Sequence, residues 1–246
     1  MLILLPPSET KAPGGTGAPL DFGALSFPSL NPARQEIAQA LASLEVDEAM
    51  IQLKISEKLR GEAEANQVIY SSPTLPAIER YTGVLYDALD AATLSDAARS
   101  HLAIGSALFG IVRADDLIPH YRLSGGTKLS GNTMKSWWGK AITEALEEVA
   151  AHELVVDMRS GTYQQLGKLK TAATVRVESV QPDGSRKVIS HFNKHYKGLL
   201  ARHVLSQPVL PTTFEEFAAA AASFPEWETE IRGSERAPEL VLVLDS

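Results

Sequence analysis

The sequence predicts a mixed α/β fold, and three stretches carry that prediction. Leu2–Leu5 is a short apolar run that passes directly into Pro6-Pro7, the pattern of a strand feeding a loop. Thr133–Val149 puts Trp137, Ile142, Ala145, Leu146 and Val149 on one stripe and Glu144, Glu147 and Glu148 elsewhere, the pattern of an amphipathic helix. Thr174–Val180 alternates as a strand, Pro182-Asp183-Gly184 makes a turn, and Arg186–Phe192 returns as its partner. At 246 residues the chain accommodates one large domain or two small ones, and 44% hydrophobic with 22% charged residues is ordinary for a folded core.

The remaining elements follow in order. Residues 13–30 begin with Pro13, Gly14, Gly15, Gly17 and Pro19 and read as a long loop whose glycines do not fit a phosphate-binding GxxxxGK[ST]. Ser8 and Lys11 have a Ser-x-x-Lys spacing that would activate a serine on one helical turn, but the flanking prolines and glycines argue against that turn. Asn31-Pro32 reads as an N-cap with proline at the first helical position, followed by Ile37, Leu41 and Leu44 at helical spacing. Val46–Leu59 repeats that spacing, Gly61 offers a stop, and 47–67 reads as a helical hairpin. A glycine-rich hairpin presents backbone N–H groups to phosphate, yet Leu59–Glu64 holds one glycine and two acids, Glu62 and Glu64. Gly83, among aromatic residues, suggests a backbone approached closely by another segment, and Thr93–Asp96 caps a helix through Leu102. Leu154–Met158 is a short strand, Leu199–Leu205 and Thr212–Ala222 are helices, and Glu239–Leu244 is a last strand, which leaves 223–238 as a loop.

Composition excludes several classes of function. With no cysteine there is no disulfide, thiolate nucleophile or cysteine metal site. The opening MLILLPPSETK lacks a basic region and is expected to be a strand rather than a signal peptide, so a cytoplasmic location is expected, and no apolar tract approaches a bilayer span. His191 and His195 are four apart, but on the strand-to-loop segment expected there they do not converge, and neither metal nor cofactor is expected. A formal net charge of −7 disfavours a non-specific polyanion binder, leaving only a local basic cleft for nucleic acid.

The candidate site centres on Ile104–Leu123, where an apolar run gives way to Arg113, Asp115, Asp116, His120, Tyr121 and Arg122. Its plainer reading is that Arg113 and Asp116 pair to close a turn and Pro119 ends a short helix. The second half lies just past Leu154–Met158, where polar residues beyond a strand end are default site candidates in open α/β sheets. Joined, they put Arg113, Asp116, Tyr121 and Arg122 with Asp157, Ser160 and Tyr163. Arginines would hold an anionic small molecule such as a nucleotide, and a carboxylate would act as base. The catalytic candidates are thus Asp116, Tyr121, Asp157 and Ser160, with Trp138 either core or a stacking surface for a base.

In their order along the chain, MLILLPP, Gly83-Val84-Leu85-Tyr86, Ser106 to Gly110 with Arg113 and Asp116, Tyr121-Arg122-Leu123, Trp138-Gly139 with Ile142-Thr143, Ser160 with Tyr163, and Lys194, Lys197-Gly198-Leu199 with Arg202 resemble the YaaA family of bacterial peroxide stress proteins, of UPF0246 type. The resemblance implies a single compact domain of unusual topology over residues 1–246, with a helix-hairpin-helix-like element. It also implies a role in limiting damage from hydrogen peroxide and the attendant iron chemistry, and DNA as partner, bound in a basic cleft. The cleft residues carried over are Arg113, Tyr121, Arg122, Lys194, Lys197 and Arg202. An iron-binding protein is the least supported reading, since there is no cysteine and no Glu-x-x-His pair.

Overall fold

The computed structural model describes residues 1–189 and 192–244. Its centre is an eight-stranded mixed sheet. Seven strands follow one another in space as Glu228–Ser234, Ala237–Leu244, Ala173–Val180, Val155–Asp157, Leu2–Leu5, Leu102–Ser106 and Gly110–Arg113, and Arg186–Val188 pairs with the far end of Ala173–Val180. The five inner strands are parallel and the flanking pairs antiparallel. Leu2–Leu5 lies in the middle with all four side chains buried, as a continuous apolar run should in a sheet covered on both faces.

This placement decides where a ligand can sit. From Leu2–Leu5 the chain passes to Leu102–Ser106 on one side and later to Val155–Asp157 on the other. Loops leaving the carboxyl ends of these strands therefore diverge, and a crevice opens between them. Helix Asn193–Leu205 packs on helix Val84–Leu89 beside it, and the packing is close because residue 198 is glycine: a Cβ there would run into the Leu85 carbonyl oxygen.

Several elements differ from the sequence reading. Asn31 is the first residue of helix Asn31–Ala42 rather than its cap, because a 3₁₀ turn at Pro28–Leu30 leads into it. The second helix stops at Leu53, where Lys54 takes a left-handed conformation, and Gly61 lies inside the next helix, Arg60–Gln67. Gly83 serves its own backbone, at φ +100°, since a Cβ there would meet only the Thr10 hydroxyl, at an ordinary contact distance of 3.8 Å. The helix expected at Thr133–Val149 is two, Met134–Trp138 and Ala141–Ala150, separated at Gly139 by a φ of +52°. Helix Asp96–Arg99 ends before Leu102, which already belongs to a strand, and Pro119 ends the short strand Leu117–Pro119 rather than a helix. Residues 193–198 are helical, not strand or loop; His191 lies outside the described residues. Glu228–Ser234 is a strand where a loop was expected, its polar edge position having no apolar alternation to reveal it. Among the described residues no helix is long and apolar enough to cross a membrane.

Candidate anion-binding site

Three hollows meet at the carboxyl ends of Leu2–Leu5 and Val155–Asp157, and Pro6 and Lys194 line all of them. The first, about 240 Å³, adds Ser8, Glu9, Thr82 and Tyr86; the second, about 360 Å³, adds Glu9, Gly125, Ser160 and Tyr163; the third, about 150 Å³, adds Met158, Asn193 and Lys197. Two of the cations come from the first turns of helix Asn193–Leu205, where residues three apart share a face. The Lys197 ammonium donates to the Met158 carbonyl at 3.1 Å, and burial lowers its pKa to about 8 against the opposing pull of Asp157 and Glu239.

A third cation reaches the rim. The Arg122 guanidinium holds the Glu9 carboxylate at 3.1 Å and the Glu9 carbonyl at 3.2 Å, while Asn66 clamps the Arg122 backbone, accepting from its N–H at 2.8 Å. Behind Ser8, the Lys11 ammonium donates to the Ser8 carbonyl at 3.3 Å and lies 4.4 Å from the centre of the Tyr121 ring. Burial first, then the nearby Arg122 charge, lower its pKa to about 7. The Ser-x-x-Lys spacing thus brings the lysine to the serine carbonyl. The Ser8 hydroxyl instead accepts from the Thr82 N–H at 3.1 Å. Beneath these groups Tyr121 is buried with its hydroxyl 2.6 Å from that of Tyr81 and 2.7 Å from that of Ser106, so it braces the cleft floor.

The carboxylates nominated as bases are engaged elsewhere. Asp157 is buried and held by Arg159 through both oxygens, at 2.9 and 2.8 Å, and Arg159 also donates to the Gly167 carbonyl at 2.8 Å. Asp116 accepts from the Ser26 N–H and hydroxyl and, at 2.8 Å, from the Arg113 N–H. It does close a turn, then, but through the Arg113 backbone.

Of the sequence-nominated residues, Lys194, Lys197, Ser160, Tyr163 and Arg122 gather at this end of the sheet, with Tyr121 and Asp157 below them. Arg113 does not join them. It lies opposite Ala103, near the amino-terminal end of Leu102–Ser106, donating to the Ser100 carbonyl at 2.9 Å and facing Glu153 at 3.6 Å. Arg202 is bound to the end of helix Val84–Leu89, through the Leu89 and Asp90 carbonyls and the Thr93 hydroxyl. Trp138 is core: 1% exposed, with its indole N–H on the Ala107 carbonyl at 2.8 Å, it offers no stacking face. Sequence reasoning passed over Glu9 and Asn193. The signal for Glu9 is its place just after the first strand, and Asn193 gives none, because the polar run that holds it reads as a loop. Among the described residues no group of three or more His, Asp or Glu could hold a metal ion.

A family model described as "Peroxide stress protein YaaA" matches residues 1–224. The chain belongs to the YaaA peroxide stress family. The match includes every residue of the cleft and ends before the Glu228–Ser234 and Ala237–Leu244 pair. Among its relatives, a UPF0246 protein of Corynebacterium glutamicum is 68% identical over 207 residues, covering 82% of this chain and 84% of its own. One of Corynebacterium efficiens is 62% identical over 226 residues, covering 90% and 91%. A UPF0246 protein of Streptomyces coelicolor is 42% identical over 221 residues, covering 86% and 85%.

Proposed function

We propose that this YaaA-family chain limits peroxide damage in the cytoplasm by binding DNA, with the cleft at the carboxyl ends of Leu2–Leu5 and Val155–Asp157 as the seat of the phosphates. The observation that carries this reading is the convergence there of Lys194, Lys197 and Arg122 with the hydroxyl-bearing Ser8, Ser160 and Tyr163. Cations and hydroxyl donors are the groups that meet phosphate oxygens. Turnover of an anionic small molecule by Arg113, Asp116, Tyr121 and Arg122 with Asp157, Ser160 and Tyr163 has less support. Arg113 and Asp116 lie at the other end of the sheet, and Asp157 is committed to Arg159.

The test is fluorescence anisotropy with labelled duplex, single-stranded and branched DNA at low salt. Lys194→Ala should weaken binding by about tenfold, the effect of one lost phosphate contact with its cation, whereas Arg113→Ala should leave affinity unchanged. Absence of binding by the wild-type chain to all three forms at low salt would overturn the proposal.

A further inference from the structure

The smallest of the three hollows has properties the other two lack. At about 150 Å³ it has a size that matches a tetrahedral oxyanion with its ester oxygen more closely than a base. Lys197 in its wall is only 9% exposed, and one contact, to the Met158 carbonyl, accounts for its bonding among the described residues. An ammonium has three N–H donors, so two are left for a ligand. Lys194 supplies a second cation to the same space. Ser160 makes no side-chain cap bond to the turn it precedes, which leaves its hydroxyl available. The Asn193 amide oxygen is buried with no donor among the described residues, and turning the amide about its terminal torsion offers an N–H instead. The thirteen-residue helix Asn193–Leu205 begins at this wall, and its N-terminus adds partial positive charge. Of the two acids that act on Lys197, Asp157 has the larger effect and is paired with Arg159, and Glu239 is the other.

We propose that this hollow receives a terminal phosphate monoester at a DNA end, in preference to the phosphodiester of a continuous strand. The inference rests on the DNA-binding reading of the cleft. A diester is flanked by a sugar on each side and carries one negative charge, so it brings fewer free oxygens and less charge to these two lysines. A terminal phosphate has a single ester link, carries between one and two charges at neutral pH, and meets two lysines there.

The experiment compares one oligonucleotide sequence carrying a 5′-phosphate, a 3′-phosphate or hydroxyls at both ends. A nucleoside monophosphate and its nucleoside serve as competitors, and wild type, Lys197→Met and Ser160→Ala as proteins. A phosphorylated end should bind about tenfold more tightly than the hydroxyl-ended strand, the scale of one added charge-assisted pair. Lys197→Met should abolish that preference, while hydroxyl-ended DNA, which keeps Lys194 and Arg122, binds more weakly but measurably. Ser160→Ala, at an exposed position that cannot disturb the core, should reduce the preference severalfold and guards against a Lys197→Met chain that fails to fold. Equal wild-type affinity for phosphorylated and hydroxyl ends would overturn this inference and leave the DNA reading standing. Binding of the monophosphate, but not its nucleoside, with neither oligonucleotide bound would sustain the monoester hollow and overturn the DNA reading. Absence of binding by strands and monophosphate alike would overturn both.

Discussion

Arginine and lysine do different work in this protein, and the number of acceptors each collects separates them. Arg34 donates to the Phe109, Ser26 and Ile111 carbonyls at 2.9, 2.8 and 2.6 Å, Arg80 reaches the Gly14 and Ile118 carbonyls, and Arg159 grips Asp157. Each planar guanidinium collects several acceptors at once, which an ammonium cannot do. Lys11 and Lys197, by contrast, are held by single carbonyls and have lowered pKa values, near 7 and 8. For Lys11 the sign of the linkage is fixed: the folded chain gives up this proton near pH 7 and the unfolded chain only near the ordinary lysine value of about 10.4. Below pH 7 both states hold the proton and folding must bury the charge. As pH rises from 7 to about 10 that burden is lifted. Lys11→Met should therefore raise the melting temperature most at pH 6, with the gain shrinking steadily toward pH 10. A gain that is constant across that range would mean that the amine is solvated.

At the scale of elements, the helix Asn193–Leu205 sets the site. Its tight seat on Val84–Leu89 depends on Gly198, where a side chain would meet the Leu85 carbonyl oxygen and the Ala88 side chain. Gly198→Ala should cost about 1–3 kcal/mol of stability by overpacking, measured by urea denaturation, and should weaken anion binding as well. The second effect follows because Lys194 and Lys197 ride on the displaced helix. Full binding by a destabilised variant would show that the site tolerates movement of that helix. The reading of 193–197 as loop failed for an identifiable reason: Asn193-Lys194-His195-Tyr196-Lys197 is polar in sequence, and its helical state comes from packing against another helix. Gly139 misled in the opposite way. The apolar stripe runs continuously through it, and only its positive φ divides the helix.

For the molecule as a whole, a formal charge of −7 means that long-range attraction to DNA is weak and that affinity must come from local contacts. Three cleft cations imply a slope of log K against log salt of about −2 to −3, since each neutralised duplex phosphate contributes about −0.9. A titration giving a slope beyond about −6 would require cations outside the cleft. Glu9 is mostly exposed and paired with Arg122 at the mouth, so on the proposed DNA reading it is the group an incoming phosphate would displace.

The sequence by itself determined the α/β class, the first strand, the pairing of the strand at Thr174–Val180 with the one that starts at Arg186, and the family, because these rest on local periodicity, turn residues and ordered motifs. The tertiary structure decided which polar residues share a site. Arg113, Asp116 and Arg122 are near neighbours in sequence, yet the turn and the short strand after Arg113 carry Arg122 away to the crevice. Lys194 reaches the same crevice from far along the chain. The physical reason is the order of the parallel strands: placing Leu2–Leu5 between Leu102–Ser106 and Val155–Asp157 opens the crevice, and no local pattern in the chain encodes that order.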